Sequence, residues 1–267
     1  MPGPKNHLEI LKLLPKTNCK ACRLPTCLTF AVAVMKGQKN LSDCPLLDEE
    51  TVGLRVGDPD RVDHVGEEQD RRLKELRAEL KKIDFASATQ RLEATISKGN
   101  LVVKCLGKDF HVDPQGNIVS QCHTNPWLTI PMLNYIIGCQ GDDLSGEWVP
   151  YRELKNGAEG NALFEQRCEK PLKQIADTQT DLFEDIIHIF SARLADDLFS
   201  SDIGIILHPL PRFPVLICYW KPEDGLDSSL NIFFDAAANK VMDTGSIFSL
   251  MAGITQMFEK ITYSHGS

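Results

Sequence analysis

The sequence predicts an α+β protein: a small helical module at the N-terminus joined to a larger mixed domain with an antiparallel-type sheet. Three observations carry this. Four of the nine cysteines fall within residues 19–44, ahead of any strand-like stretch. Residues 101–120 alternate apolar and polar positions around turn residues, as a meander of short strands does. Elsewhere apolar β-type runs and helical periodicities occur in blocks rather than in strict alternation.

In order along the chain, HLEILKLL at 7–14 has a short amphipathic helical pattern that ends at Pro15. The cysteine segment follows and runs to Cys44-Pro45. Residues 46–66 are polar with Gly and Pro punctuation and read as a loop. From Glu67, the spacing of Leu73, Leu76, Leu80 and Ile83 puts one apolar stripe on a charged helix, either a spacer or an element docked on the main domain. After the meander come a helix over about 130–138 and the Gly-rich turn QGDDLSGEW. Helices over about 160–176 and 179–198 follow. Three β-type runs occupy 203–208, 214–220 and 229–235, and a helix over about 244–261 closes the chain. The expected division is 1–47 for the module, 48–84 for linker and amphipathic helix, and 85–267 for the α+β domain.

Composition narrows the function classes. With 42% hydrophobic and 25% charged residues the chain reads as soluble and globular. No apolar run reaches the roughly 18 residues of a membrane helix. The first residues lack the apolar core and cleavage site of a secretory signal, so a cytoplasmic location is expected. Net charge is −8, but residues 1–47 carry seven Lys or Arg against Glu9 and Asp43, which leaves −13 on the other 220 residues. Nucleic acid is therefore not an expected ligand of the main domain, since phosphate binding needs a basic face. Clustered cysteines without a secretory context point to metal or redox chemistry. No glycine-rich nucleotide loop and no nucleophile-elbow motif is present. Whether the protein is an enzyme is left open.

Cys19, Cys22, Cys27 and Cys44 form C-x2-C-x4-C-x16-C followed by Pro45. Thr26 suits a helix N-cap and would place Cys27 at the free backbone N–H groups of the helix start, with Gly37 as C-cap. Three readings fit four such thiols. A structural zinc site is possible, although the usual second C-x2-C pair is missing. A redox pair at Cys19 and Cys22 would want a preceding strand, which LKLLPKTN does not offer. An iron–sulfur cluster uses all four sulfurs and shares the proline after the last ligand with bacterial ferredoxin runs.

The segment LPKTNCKACRLPTCLTFAVAVMKGQKNLSDCP resembles the [4Fe-4S] domain that opens the large subunit of corrinoid iron–sulfur proteins, and more loosely one in an Rnf-type electron-transport subunit. The resemblance implies that Cys19, Cys22, Cys27 and Cys44 ligate one [4Fe-4S] cluster. The family usually has glycine after its first two cysteines, where this chain has Lys20 and Arg23. GEWVPYREL, HPLPRFPVLICYW and SLNIFFDAAANKV resemble a bacterial and archaeal domain of unknown function that recurs beside such clusters. The barrel that follows in the corrinoid subunit is not in this chain, so a methyl-carrier role is not expected.

The implied function is one-electron transfer to or from a partner redox protein or corrinoid protein in anaerobic metabolism. Lys16, Lys20, Arg23, Lys36 and Lys39 would offset the negative charge of a thiolate-bound cluster or form a docking patch. Two alternatives stand beside it: an α+β domain that holds a second cofactor, corrinoid or haem, and a structural four-cysteine site in an interaction protein. For a second cofactor the candidates are Cys122, His123, His111 and His208. Asp109-Phe110-His111 has the Asp-x-His opening of corrinoid-binding motifs but reads as hairpin. Cys105 and Cys218 read as core thiols.

Overall fold

A computed structural model of the chain describes residues 4, 7–22, 24–35, 39–52, 64–122, 125–179, 189–190, 192–195, 198–223 and 225–265. It divides into two compact units, residues 1–68 and 69–267.

The N-terminal unit is built from short helices: α1 (His7–Leu13), α2 (Cys27–Met35), a 3-10 turn (Leu41–Asp43) and α3 (Glu49–Val52). Its core joins Ile10 and Leu14 after α1 to Phe30, Ala31 and Val34 of α2 and to Leu41. Cys27 and Cys44 are buried in the same cluster. The predicted Thr26 cap is present: the Thr29 N–H donates to Thr26 Oγ1 at 3.1 Å, and Thr29 Oγ1 in turn accepts from the Thr26 N–H at 3.1 Å. The Gly37 cap lies outside the described residues.

The larger unit begins within α4 (His64–Leu80), whose Leu76 and Leu80 are fully buried in its core. Of the two roles expected for this helix, docking is the one observed. Asp84 caps α5 (Phe85–Leu92) by accepting from the Ala86 and Ser87 N–H groups. Then come β1 (Thr95–Ser97), β2 (Asn100–Cys105), β3 (Lys108–Val112) and β4 (Ile118–Ser120), an antiparallel meander in sequence order. Asp113 shapes the β3–β4 turn by accepting from the backbone N–H groups of Gln115 and Asn117. Gly116 takes φ +81° there, and a Cβ on it would stand 2.7 Å from Arg77 Cγ, so this turn is pressed against α4.

α6 (Pro126–Gly138) starts four residues earlier than its apolar pattern predicts. Asn125 accepts from the Leu128 N–H, and Pro126 opens the helix where its missing donor costs nothing. After β5 (Trp148–Pro150), α7 (Gly157–Phe164) runs through a π turn at Glu165–Glu169 into α8 (Lys170–Thr178). The helix expected over 179–198 falls mostly outside the described residues. Within them, Arg193–Leu194 is a strand, β6, and Leu198–Ser200 a 3-10 turn, because residues 193–194 pair with β7. β7 (Ile203–Leu210), β8 (Phe213–Trp220) and β9 (Ser229–Asp235) complete a second antiparallel sheet in the order β5-β9-β8-β7-β6. The antiparallel-type sheet expected from the sequence is present as two separate sheets, and the class is α+β. Short α9 (Ala238–Val241) and long α10 (Thr244–His265) follow, and α10 packs on α6 and α8.

One buried cluster links both sheets, α4 to α8 and α10. Val103, Ile205, Val215, Ile217, Phe234 and Phe258 are among its members. Cys105 and Cys218 are buried, as their strand patterns imply. Burial, with a further push from the nearby Cys122, raises the Cys105 thiol to about 12, which fits an inert core thiol.

Candidate metal centre in the N-terminal unit

Cys19, Cys22, Cys27 and Cys44 line one small hollow, together with Leu14, Asn18 and Phe30. The separate elements explain how. Residues 16–20 form an irregular loop in which Lys16, Asn18 and Lys20 all take the left-handed conformation, with φ between 50° and 61°. This loop and the turn at residues 21–22 that follows it present Cys19 and Cys22. The α2 start presents Cys27, and the 3-10 turn delivers Cys44, whose N–H donates to Leu41 O at 3.1 Å. Asn18 Oδ1 accepts from the Cys27 N–H at 2.8 Å and so fastens the loop to the first residue of α2.

Exposure is graded around the hollow. Cys27 and Cys44 are buried, Cys22 is partly exposed, and Cys19 is exposed. The Ala21 N–H and the Thr17 side chain hydrogen-bond the Cys19 sulfur and lower its pKa, which favours the thiolate that binds metal. Cys27 is the first residue of α2 and so stands at the positive end of that helix.

The donor set fits an iron–sulfur group. Four soft thiols line the hollow, with no carboxylate or imidazole among the described lining residues. Among the described residues no three His, Cys, Asp or Glu side chains stand close enough to grip a single metal ion. Lys20 lines the hollow beside Cys19, while Arg23 and Lys36 lie outside the described residues. The sequence reading missed Asn18. Its signal was an Asn directly before the first cysteine, a residue that tolerates φ > 0 and carries a side-chain acceptor.

Among the described residues the candidates for a second cofactor are not brought together into a group that could hold a metal ion. Phe110 is buried in the core, so strand alternation sends His111 to the opposite face of its sheet. His208 sits in the other sheet at the irregularity between Leu207 and Leu210, and partial burial with nearby Arg193 lowers its pKa. Cys122 is exposed beside an apolar cavity, and His123 lies outside the described residues.

Residues 84–257, well over half of the chain, match the protein family described as "Domain of unknown function (DUF3786)". The chain belongs to that family. Residues 14–46 match a second family, described as "Putative Fe-S cluster", and this interval contains all four cysteines of the hollow. Over 48 residues the DUF3786 protein is 42% identical to the acetyl-CoA decarbonylase/synthase complex subunit gamma of Methanocaldococcus jannaschii, which is 18% of this chain and 10% of that subunit. Over 46 residues it is 46% identical to the corrinoid/iron-sulfur protein large subunit of Moorella thermoacetica, 17% of this chain and 10% of that one. A gamma subunit from Methanopyrus kandleri is 34% identical over 71 residues, 22% of this chain and 15% of that subunit. The chain thus spans only about a tenth of the length of the first two relatives. No solved structure matches it. The N-terminal part is an iron–sulfur domain, and the DUF3786 part has no activity attached to its name. No helix among the described residues is long and apolar enough to cross a membrane.

Proposed function

We propose that the N-terminal unit holds one [4Fe-4S] cluster on Cys19, Cys22, Cys27 and Cys44 and exchanges single electrons with a partner redox or corrinoid protein. The observation that carries this reading is the lining of one hollow by four thiols and no harder ligand. When bound, such a cluster supplies one reversible electron. The chain's residues do the rest. Cys27 and Cys44 hold from the buried side, and Asn18 fixes the loop that carries the other two. The exposed Cys19 and neighbouring Lys20 form the face a partner would meet, and a basic face selects an acidic partner.

In this reading residues 1–47 are the electron module, 48–84 a linker with its helix, and 85–267 the recognition domain. The relatives that match the module are named as subunits of an acetyl-CoA decarbonylase/synthase complex and of a corrinoid/iron-sulfur protein. A cytoplasmic carrier that serves such anaerobic one-carbon chemistry is the role they support.

Anaerobic purification with metal analysis and a visible spectrum tests the assignment. The expected result is a brown protein with broad absorbance near roughly 400 nm and about four irons per chain, which low-potential donors bleach reversibly. A colourless, zinc-loaded protein would overturn it. Oxidation of the reduced protein by an isolated corrinoid protein, faster than by free cobalamin, is expected of the partner assignment.

A further inference from the structure

The larger unit contains a cavity of about 240 Å³ that the cluster reading does not use. Its floor is the β2–β3 hairpin, through Cys105, Leu106 and Phe110. One wall is the start of α6, through Trp127 and Leu128, and the other is α10, through Leu250, Ile254 and Met257. Gly253 sets the approach of these walls: a Cβ there would stand 3.0 Å from Trp127 Cβ.

The lining is sorted by depth. Leu106, Phe110, Leu250 and Ile254 are buried, whereas Lys108, Gln256 and Lys260 are exposed and Asn125 half-buried. Among the described residues no acidic side chain lines the cavity, and the charged side chains on its lining are Lys108 and Lys260. This holds in a chain whose net charge is −8. An apolar interior with a cationic, amide-bearing mouth matches a ligand with an apolar body and an anionic head.

We propose that this cavity binds a small apolar carboxylate, with its hydrocarbon part between α6 and α10 and its carboxylate at Lys108 and Lys260. The body would be either an alkyl chain or an aryl ring, since Phe110, Trp127 and Met257 accept both. The inference stands apart from the cluster assignment, because no cysteine of the N-terminal hollow lines the cavity.

The test uses the full chain and displacement of the fluorescent apolar anion 1-anilinonaphthalene-8-sulfonate by decanoate, by indole-3-acetate and by neutral 1-decanol. Saturable displacement by one of the two carboxylates, at lower concentration than by decanol, is expected, and which carboxylate acts identifies the body. Replacing both Lys108 and Lys260 with Gln should weaken the carboxylate by roughly three- to tenfold, the scale of two exposed ion pairs, and leave decanol unchanged. Met257→Trp, or Leu128→Trp if the first variant loses its circular dichroism, should abolish displacement by filling the cavity. Equal affinity for decanol, or displacement that survives a folded cavity-filling variant, would overturn the proposal. Stoichiometric haemin binding with a sharp Soret band lost in Cys122→Ser would also overturn it, by making the site a metal-cofactor site.

Discussion

In the N-terminal unit the buried apolar cluster consists of Ile10, Leu14, Cys27, Phe30, Ala31, Val34, Leu41 and Cys44, so two of its members are thiols of the candidate metal centre. In the larger unit the corresponding cluster runs through two sheets and their helices, and its three cysteines with strongly raised or clearly raised pKa values, Cys105, Cys139 and Cys168, are inert core residues. The same side chain therefore serves opposite ends. Where hydrocarbon is plentiful a buried thiol is one more apolar group, and where it is scarce the thiols stand where a metal group can staple the fold.

The sharpest way to break that comparison is to remove a buried ligand. Cys27→Ser or Cys44→Ser should eliminate the cluster absorbance and leave residues 1–47 open to proteolysis, because a small metal-dependent fold unfolds with loss of its metal. The larger unit should retain its cooperative thermal transition. If that transition disappeared together with the iron, the two units would not be energetically separate and the comparison would fail.

A second prediction concerns where the larger unit begins. The family match starts at residue 84, but Leu76 and Leu80 of α4 are fully buried in the same core as the sheets. Leu76→Ala should therefore cost about 3 kcal/mol, as for a fully buried leucine, read as a lower urea midpoint at unchanged slope. A chain that starts at residue 84 should be less stable still than one that starts at residue 64. A neutral Leu76→Ala would return α4 to the role of a spacer.

Much of this architecture was legible from pattern alone, and the gaps have physical causes. The α4 stripe, the meander and the runs at 203, 214 and 229 are long enough for their period to show. The pairing of Arg193–Leu194 with β7 was not, since two residues carry no period and the partner lies across a turn. At the candidate metal centre the four cysteines that share one hollow stood out by their spacing. Asn18 did not, because its role depends on a left-handed backbone and on the distance to Cys27, neither of which spacing encodes. The cavity beside α6 was out of reach altogether, as it is assembled from three elements distant in sequence.

A third prediction probes a polar anchor of the larger unit. The buried Asp235 accepts from the N–H groups of Ser145, Gly146 and Ala237, and it is these contacts that fold the Gly-rich turn onto β9. Burial would raise its pKa, but the hydrogen bonds outweigh burial and lower it. The stability it contributes is then fully present above the ordinary carboxylate value of roughly 4 and is lost as pH falls through the lower folded value. Asp235→Ala should cost about 2 kcal/mol near neutral pH by stranding buried donors. Asp235→Asn should flatten the fall in stability below roughly pH 4. Acid stability unchanged in Asp235→Asn would place the effect on other carboxylates, such as Asp113.

The smallest expected effect returns to the cysteine loop and separates two roles of one side chain. Lys20 holds φ +61° directly after Cys19, in the region glycine enters freely and other residues enter at a cost of about 1 kcal/mol. The resembled domains usually have glycine at this place, so the lysine accepts a backbone penalty for whatever its charge contributes. Positive charge beside a thiolate-bound cluster favours the more reduced, more negative state and should raise the potential. Lys20→Gly should relieve the backbone penalty and lower the potential together. Lys20→Ala should lower the potential to a similar degree but bring no stability, since alanine keeps the Cβ that the left-handed region disfavours. Unfolding of the holo N-terminal unit and a redox titration of each variant read the two effects independently. If both variants keep the parent potential, the charge does not act on the cluster, and binding to an acidic partner becomes the measurement that decides why a lysine occupies a glycine's conformation.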